Sequence, residues 1–276
     1  MVNVLYCGNG KVFTQFLISM LSIFLREEKK HDEYHFYFFT MNLTRMKPSY
    51  TAISGEEISF LDKVAKGYNA SSSVTGIDVT DLYEKELGYC PNESAYCSPY
   101  TLLRLLADLV PGIPDKILYL DADIMFNRDV HLLYDIDVSE VEYAGARDHY
   151  GKYLLNPNYL NAGVILFNMK KCRETGLFSK GRDWLRKKKL LFADQSAIIR
   201  STSKKKMLPQ KFNDQKFLHK STVVRHFSKR LFWLPYPHTS NIKQDNIELV
   251  HKVFRYHQFD DIYEVYSKLM EERALK

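Results

Sequence analysis

The chain has 276 residues, of which 45% are hydrophobic and 26% are charged. These values predict one large or two small domains with a substantial core, and they exclude a disordered or fibrous protein. The formal net charge is +6, but residues 170–230 carry 19 Lys and Arg against 4 Asp and Glu, a balance of +15, so the remainder carries −9. Such asymmetry indicates either an anionic partner or a set of solvated helix faces.

From the early part of the chain we expect neither a membrane span nor a secretory signal. Its most apolar stretch, residues 12–25, is interrupted by four polar residues and is shorter than the ~20 apolar residues that a span requires. Residues 2–6 form a strand-like run and do not show the basic region, apolar region and small-residue cleavage site of a secretory signal. We therefore expect a cytoplasmic location. The cysteines match no zinc or redox spacing, and we expect reduced thiols at Cys7, Cys90, Cys97 and Cys172.

Predicted strands and helices alternate in the first part of the chain. Residues 3–7 (NVLYC) predict a buried strand, and apolar periodicity predicts a helix over residues 12–26. Ser54 and Glu57 have the spacing of a capping box ahead of an apolar helical face. Two further strands are predicted at residues 35–40 (HFYFFT) and 74–79. This alternation predicts an α/β domain with a mostly parallel central sheet flanked by helices.

The pattern continues in the second part of the chain. Residues 88–99 predict a loop, and residues 100–110 predict a helix that ends at Pro111. Three core strands are predicted at residues 116–120 (KILYL), 143–146 and 163–167, the first of them buried on both faces. Residues 260–276 predict a helix that docks on the domain through one apolar face. That face consists of Ile262, Tyr263, Tyr266, Leu269 and Met270.

Asp121, Ala122 and Asp123 follow the strand at residues 116–120 directly. Open α/β sheets bind ligands just beyond the carboxyl ends of their strands, and a divalent cation such as Mg²⁺ or Mn²⁺ would join two carboxylates there. The alternative is a tripeptide that only opens a turn or caps the next segment. A phosphatase of the haloacid-dehalogenase type is disfavoured because Ile124 follows the pair, and neither a dinucleotide fingerprint nor a P-loop is present.

Four blocks of the sequence resemble the retaining glycosyltransferases of family 8, the group that contains glycogenin and the bacterial lipopolysaccharide α-galactosyl- and α-glucosyltransferases. The blocks are residues 116–123 (KILYLDAD), residues 159–173 (YLNAGVILFNMKKCR), Asp194-Gln195 and residues 226–228 (HFS). The resemblance extends from the first strand to about Trp233. It implies a GT-A catalytic domain at residues 1–235, and we expect residues 236–276 to form a helical extension docked on it.

The same resemblance implies a UDP-sugar donor and a bound Mn²⁺ or Mg²⁺, with Asp121, Asp123 and His226 as the metal ligands. Without the block around it, His226 would be read as a core or surface histidine. The implied donor-binding residues are Tyr6, Cys7, Asn9, Arg104, Asp121, Ala122, Asp123, Asn161, Ala162 and Gly163. The implied catalytic residues near the sugar are Asp148, Asp194 and Gln195. For the first three donor-binding residues, the alternative is a loop that only permits a tight turn.

The segment after His226 departs from the family. Many members have the pattern HFxGxxKPW, whose glycine and lysine reach the diphosphate, whereas this chain has Lys229 and Phe232 at those two positions. Either Lys229 or Arg230 replaces the lost cation by a different route, or the diphosphate is held more weakly. We expect replacement by Lys229, because of the positive charge at this point of the chain.

The resemblance implies transfer of a hexose, glucose or galactose, to a glycan or lipopolysaccharide-type acceptor hydroxyl with retained configuration. Double displacement requires a nucleophile, but Gln195 is a neutral amide and Asp194 is implied to hold sugar hydroxyls. Attack on the same face as the departing diphosphate is therefore favoured. The alternative function is a glycosyltransferase-like protein that binds nucleotide or glycan without efficient turnover.

The charge distribution bears on other partners. The basic residues 170–230 are expected to favour peripheral association with an anionic membrane face, where lipid-linked acceptors reside. Nucleic acid is not an expected partner because the chain contains no recognised nucleic-acid reading motif.

Overall fold

The computed structural model describes residues 1–28, 32–94, 98–232 and 236–275. Strands are formed by β1 (Val2–Cys7), β2 (Tyr34–Thr40), β3 (Ser73–Asp78), β4 (Lys116–Leu120), β5 (Ile124–Phe126), β6 (Tyr143–Arg147), β7 (Leu160–Asn168), β8 (Lys205–Leu208), β9 (Val224–His226), β10 (Arg230–Phe232) and β11 (His238–Ser240). Helices are formed by α1 (Phe13–Leu25), α2 (Gly55–Tyr68), α3 (Thr80–Leu87), α4 (His131–Tyr134), α5 (Gly151–Leu154), α6 (Met169–Thr175), α7 (Leu177–Lys187), α8 (Ala193–Ser201), α9 (Ile247–Leu249) and α10 (Asp260–Ala274). Tighter 3₁₀ turns lie at Gly10–Val12, Pro99–Leu106 and Gln210–Phe212, and a π-helical turn lies at Val250–Phe254.

In the described residues, seven strands form the central sheet in the order β3-β2-β1-β4-β7-β6-β8. β1 pairs in parallel with β2 and β4, β2 with β3, and β6 with β8. β7 is antiparallel to both of its neighbours, β4 and β6. The predicted mostly parallel sheet is therefore confirmed. The direction of β7 did not follow from its apolar run, since such a run predicts burial and not strand direction.

The two faces of the sheet are covered by separate apolar layers. Val4 and Leu118 point into a layer that contains side chains of α1, α2 and α10. Leu5 and Ile117 point into the opposite layer, which contains side chains of α3, α7 and α8. Since side chains of β4 are fully buried in both layers, the prediction of a central strand covered on both faces is confirmed.

The predicted capping box and the C-terminal helix are confirmed as well. Ser54 Oγ accepts a hydrogen bond from the Glu57 amide at 3.2 Å, while the Ser54 amide donates to Glu57 Oε2 at 2.9 Å. Ile262 and Tyr263 of α10 are buried against the core that includes α1, and the other predicted apolar residues of this helix are partly buried there. Because the amphipathic face is covered, α10 is held on the sheet domain by apolar burial.

The prediction of a helix over residues 100–110 is wrong in type and length. Pro99–Leu106 forms a 3₁₀ helix, and turns follow it. Most of its side chains are buried, including Leu102, Leu103 and Arg104, because the segment lies between the sheet and α7. Packing on several sides here outweighs the weak local preference for α-helical hydrogen bonding.

Cys7, Cys90 and Cys172 are free thiols, whereas Cys97 lies outside the described residues. The predicted loop at residues 88–99 forms turns over residues 88–94, while residues 95–97 also lie outside the described ranges. None of the described helices has the length and apolar character needed to cross a membrane.

Candidate active site

A short strand ladder brings His226 to the two aspartates beyond β4. β5 follows Asp123 directly and pairs antiparallel with β9, with Ile124 opposite His226. His226 Nε2 lies 3.2 Å from Asp123 Oδ1 and 3.9 Å from Asp121 Oδ2. Residues separated by about a hundred positions in the chain therefore meet at the carboxyl end of the central strand β4.

The spacing of these three side chains fits one divalent cation. One ligand atom from each of Asp121, Asp123 and His226 lies within 4.8 Å of the other two. Ligands around an octahedral ion with bond lengths of about 2.0–2.1 Å are separated by about 3–4 Å. Two carboxylates and one imidazole suit Mn²⁺ well and suit Mg²⁺, which prefers oxygen ligands, less well. Three protein ligands leave further coordination positions for oxygens of a bound ligand.

Two hydrogen-bond donors hold the Asp121 carboxylate through the oxygen that does not face His226. Arg104 Nη2 donates to Asp121 Oδ1 at 2.9 Å, and the Tyr119 hydroxyl donates to the same oxygen at 2.6 Å. The other carboxylate oxygen, Oδ2, is the one that faces His226. Since the two donors fix one oxygen, the orientation of the second oxygen toward a ligand is fixed as well.

Arg104 also neutralises a second carboxylate, that of Asp194. The Arg104 side chain is buried, and its Nε lies 3.3 Å from Asp194 Oδ2. Thr101 Oγ1 donates to the other oxygen of Asp194 at 3.2 Å. Burial raises the pKa of Asp194 above its usual range, and the charge of Arg104 opposes that rise. The Nε–H group of Arg104 donates to the Thr101 carbonyl at 2.9 Å, and Nη1 donates to the Ala162 carbonyl.

A chain of side-chain hydrogen bonds connects His226 to Asp148. His226 Nδ1 lies 3.0 Å from Asn213 Oδ1, and Asn213 Nδ2 donates to Asn161 Oδ1 at 2.9 Å. Asn161 Nδ2 then donates to Asp148 Oδ2 at 2.9 Å. The other Asp148 oxygen accepts from the Gly151 amide at 2.6 Å.

The direction of this chain determines which nitrogen of His226 carries the proton. An ionised carboxylate only accepts, so Asn161 must present its NH₂ to Asp148 and its oxygen to Asn213. Asn213 must then present its own oxygen to His226, so that Nδ1 is the donor. The lone pair of the neutral ring therefore lies on Nε2, the atom that faces both aspartates.

We predict that Asn213→Leu lowers the affinity for Mn²⁺ by roughly 10–100-fold, the usual cost of losing the group that orients a metal ligand. The loss is expected because the His226 tautomer and ring orientation are then no longer fixed. Titration calorimetry with Mn²⁺ measures the effect. Asn42→Leu is the control, since exposed Asn42 also accepts a hydrogen bond, from Thr44, in a turn after β2. Equal affinities in the Asn213 variant and the wild type would contradict the orienting role.

The predicted residues near the end of β1 differ in accessibility. Tyr6 is fully buried and its hydroxyl bonds Ser19 Oγ at 2.7 Å. Cys7 is partly buried at the strand end. Asn9 is 5% exposed and caps the Gly10–Val12 turn, with Oδ1 accepting from the Lys11 amide at 3.3 Å. The contacts of Tyr6 and Asn9 thus shape the strand and the turn around this edge of the sheet.

The segment from Asn161 to Gly163 packs directly against the site. The Ala162 amide donates to Gln195 Oε1 at 2.9 Å, which ties the start of α8 to β7. A Cβ atom at Gly163 would lie 2.3 Å from His226 Cε1 and 2.9 Å from Asp121 Oδ2. Glycine is therefore required at this position for the histidine and the aspartate to meet.

A lysine that no sequence motif marked reaches Asp123. Lys243 Nζ forms an ion pair with Asp123 Oδ2 and donates to the Phe227 carbonyl at 3.1 Å. Burial acts to raise the pKa of Asp123, but the charge of Lys243 and its ion pair with this carboxylate hold the pKa well below its usual range. Lys229, by contrast, is exposed in the loop between β9 and β10. Lys243 and Asn213 are site residues that sequence reasoning missed, as is Tyr119, which donates to Asp121.

Comparison with known proteins places this chain in a family. Residues 3–251 match the model of the family described as Glycosyl transferase family 8. The chain belongs to this family. It is also 24% identical over 197 residues to a protein of Haemophilus influenzae named "Putative glycosyltransferase". That match covers 67% of this chain and 54% of the relative, so the chain spans about half the length of the curated relative.

Solved structures share the fold of this family 8 chain at low sequence identity. The galactosyltransferase LgtC in complex with donor and acceptor sugar analogs matches 97% of this chain and 96% of its own, with a TM-score of 0.66 and 16% identity. The glycosyltransferase GlyE of Streptococcus pneumoniae matches 97% of this chain and 64% of its own, with a TM-score of 0.63 and 18% identity. The predicted GT-A fold is confirmed.

Proposed function

We propose that this chain transfers a hexose, glucose or galactose, from a UDP-sugar to an acceptor hydroxyl on a glycan, free or lipid-linked, and that a divalent cation assists the reaction. The observation that carries this proposal is the convergence of Asp121, Asp123 and His226 at the carboxyl end of β4. Open α/β sheets bind ligands at this edge, and a cation held there can neutralise a diphosphate. Membership of the family supports the same reaction class.

The protein groups of the proposed metal site have distinct duties. Asp121, Asp123 and His226 would hold Mn²⁺ or Mg²⁺, which when bound supplies Lewis-acid stabilisation of the charge on the departing UDP. Arg104 orients Asp121 through one carboxylate oxygen. Asn213 keeps the lone pair of His226 on Nε2. These contacts within the protein fix the orientation of the ligand atoms, so the site is preorganised for the cation.

The sugar of the donor would lie against the polar groups around β7. Asp148 and Asn161 are partly exposed at the end of the hydrogen-bond chain that begins at His226. Their oxygen and NH₂ groups suit the hydroxyls of a hexose, which both donate and accept. Gln195 lies on the neighbouring helix α8 and supplies a further polar group. Its Oε1 accepts a hydrogen bond from the Ala162 amide of β7.

Two side chains near the proposed sugar site are poor nucleophiles. Asp194 is 4% exposed, and its two oxygens lie against Thr101 and Arg104. Gln195 is a neutral amide whose oxygen already accepts a hydrogen bond. We therefore favour attack by the acceptor hydroxyl on the same face as the departing diphosphate, one oxygen of which takes the proton. Positioning and electrostatic stabilisation would then supply most of the rate enhancement.

The proposal predicts metal-dependent release of UDP from UDP-glucose or UDP-galactose. Release should require added Mn²⁺ or Mg²⁺, stop on chelation with EDTA, and return when the cation is restored. A coupled assay for free UDP measures it directly. Tight metal-dependent binding of UDP without release from either donor would favour the alternative, a protein that binds nucleotide without turnover. Absence of both binding and release would overturn the proposal.

A further inference from the structure

A segment near the C-terminus packs across the loop that carries the two aspartates. We call residues 242–245 the clasp. Gln244 Nε2 donates to the Ala122 carbonyl at 2.7 Å and to the Gln15 carbonyl at 3.2 Å, while Gln15 Nε2 donates to Asp245 Oδ2 at 3.2 Å. Ile242 is 8% exposed. The clasp is therefore fixed on both sides of Lys243, and its position against the aspartates is built into the fold.

Arg104 and Lys243 each form an ion pair with one of the two site aspartates. Arg104 pairs with Asp121 from the buried side, and Lys243 pairs with Asp123 from the clasp. The Arg104 side chain is 2% exposed, and its guanidinium donates to main-chain carbonyls, so it is fixed in place. The Lys243 side chain is 25% exposed and ends in a compact ammonium on a flexible stem. Lys243 is therefore the cation of the pair that can move.

The ammonium of Lys243 lies where two different ligands would act on it. Asp123 turns Oδ1 toward His226 and Oδ2 toward Lys243, so a divalent cation and the ammonium are drawn to the same carboxylate. Like charges at such a short distance repel, which lowers the affinity for the cation alone. A diphosphate bound to the cation would bring negative oxygens to the same place, and the ammonium could then donate to them.

We propose that Lys243 is a movable counter-ion that couples the binding of the divalent cation to the binding of the nucleotide diphosphate. It opposes the cation when no nucleotide is present and favours the diphosphate when both are present. The inference rests on the proposed function, since it requires a nucleotide diphosphate at the cation site. This role differs from simple ligand binding, because the same side chain weakens the binding of the divalent cation alone and strengthens the binding of the diphosphate.

The coupling predicts opposite shifts in two affinities of Lys243→Met. The affinity for Mn²⁺ alone should rise, by about tenfold, because a competing positive charge is removed. The affinity for UDP at saturating Mn²⁺ should fall by about tenfold or more, because a charge-assisted hydrogen bond is lost. The affinity for uridine, which has no phosphate, should not change. Titration calorimetry with the full chain measures all three, and thermal unfolding shows whether the variant is folded.

Two further variants test whether the charge of Lys243 itself produces the shifts. Lys252→Met removes an exposed lysine of the neighbouring π-helical turn and should change none of the three affinities. Lys243→Gln retains a donor for the Phe227 carbonyl without the charge, and should reproduce both shifts if Lys243→Met does not fold. Affinities for Mn²⁺ and UDP that fall together, or that do not change, would overturn the coupling while leaving the proposed function intact. A wild-type chain that binds Mn²⁺ but not UDP would instead refute the proposed function, and the coupling with it.

Discussion

Asp123→Asn is expected to reduce metal-dependent release of UDP by at least about 100-fold. Asp123 supplies an anionic oxygen to the cation, and its loss should cost more than the roughly 10–100-fold typical of a residue that only orients a ligand. The side chain is nearly buried, between His226 and Lys243. A neutral amide of the same shape fills the same space, so the fold should persist. Release from UDP-glucose and UDP-galactose over a range of Mn²⁺ concentrations measures the effect.

The concentration series shows why the activity falls. If Asp123 is a metal ligand, higher Mn²⁺ should recover part of the lost release, since weaker binding is compensated by mass action. Asp81→Asn is the matched control, because Asp81 is exposed in the first turn of α3, and it should behave as the wild type. Release by Asp123→Asn within about threefold of the wild type, at low Mn²⁺, would contradict the ligand assignment.

The parts of this site that follow from the sequence are those with a strong local pattern. The apolar runs at β1, β2 and β4 predict buried strands, and the acidic pair directly after β4 predicts a ligand site at the sheet edge. The capping box predicts the start of α2. In each case the residues that determine the structure are neighbours in the chain, so one short window contains the information.

The parts that did not follow depend on pairing between distant segments. Asn213 lies in a turn after Gln210–Phe212, and its value to the site comes only from its position between His226 and Asn161. Lys243 lies 120 residues after Asp123 in a stretch that has no regular secondary structure. A single lysine or asparagine in such a stretch is normally solvated. Only the folded chain shows that these two side chains are directed into the site.

Arg104 can be identified as a site residue from the sequence, but its role in the site cannot. The family resemblance implies a side chain that binds the donor, and its donors are known to suit phosphates and sugar hydroxyls. In the structure these donors bind Asp121 and main-chain carbonyls, while Asp194 lies beside them. A 3₁₀ turn rather than an α-helix carries the residue into the core. We therefore infer that Arg104 positions the two carboxylates.

Arg104→Met is expected to lower the free energy of unfolding by about 3–5 kcal/mol, the typical cost of removing one partner of a buried ion pair. Asp194 is 4% exposed and would be left without its compensating charge. Asp121 would lose the donor that holds Oδ1. Urea unfolding followed by circular dichroism measures the change. Arg173→Met is the control, because the pair of Arg173 with Asp115 is exposed and should contribute at most about 1 kcal/mol.

A second substitution separates electrostatics from packing. If the loss comes from the unpaired carboxylate, Arg104→Met combined with Asp194→Asn should be more stable than Arg104→Met alone, because the neutral amide no longer requires a cation. If the loss comes from packing, the second change should add its own cost. Arg104→Lys keeps the charge without the planar fork and should fall between wild type and Arg104→Met. An Arg104→Met chain as stable as the Arg173→Met control would show that the two carboxylates do not depend on this guanidinium.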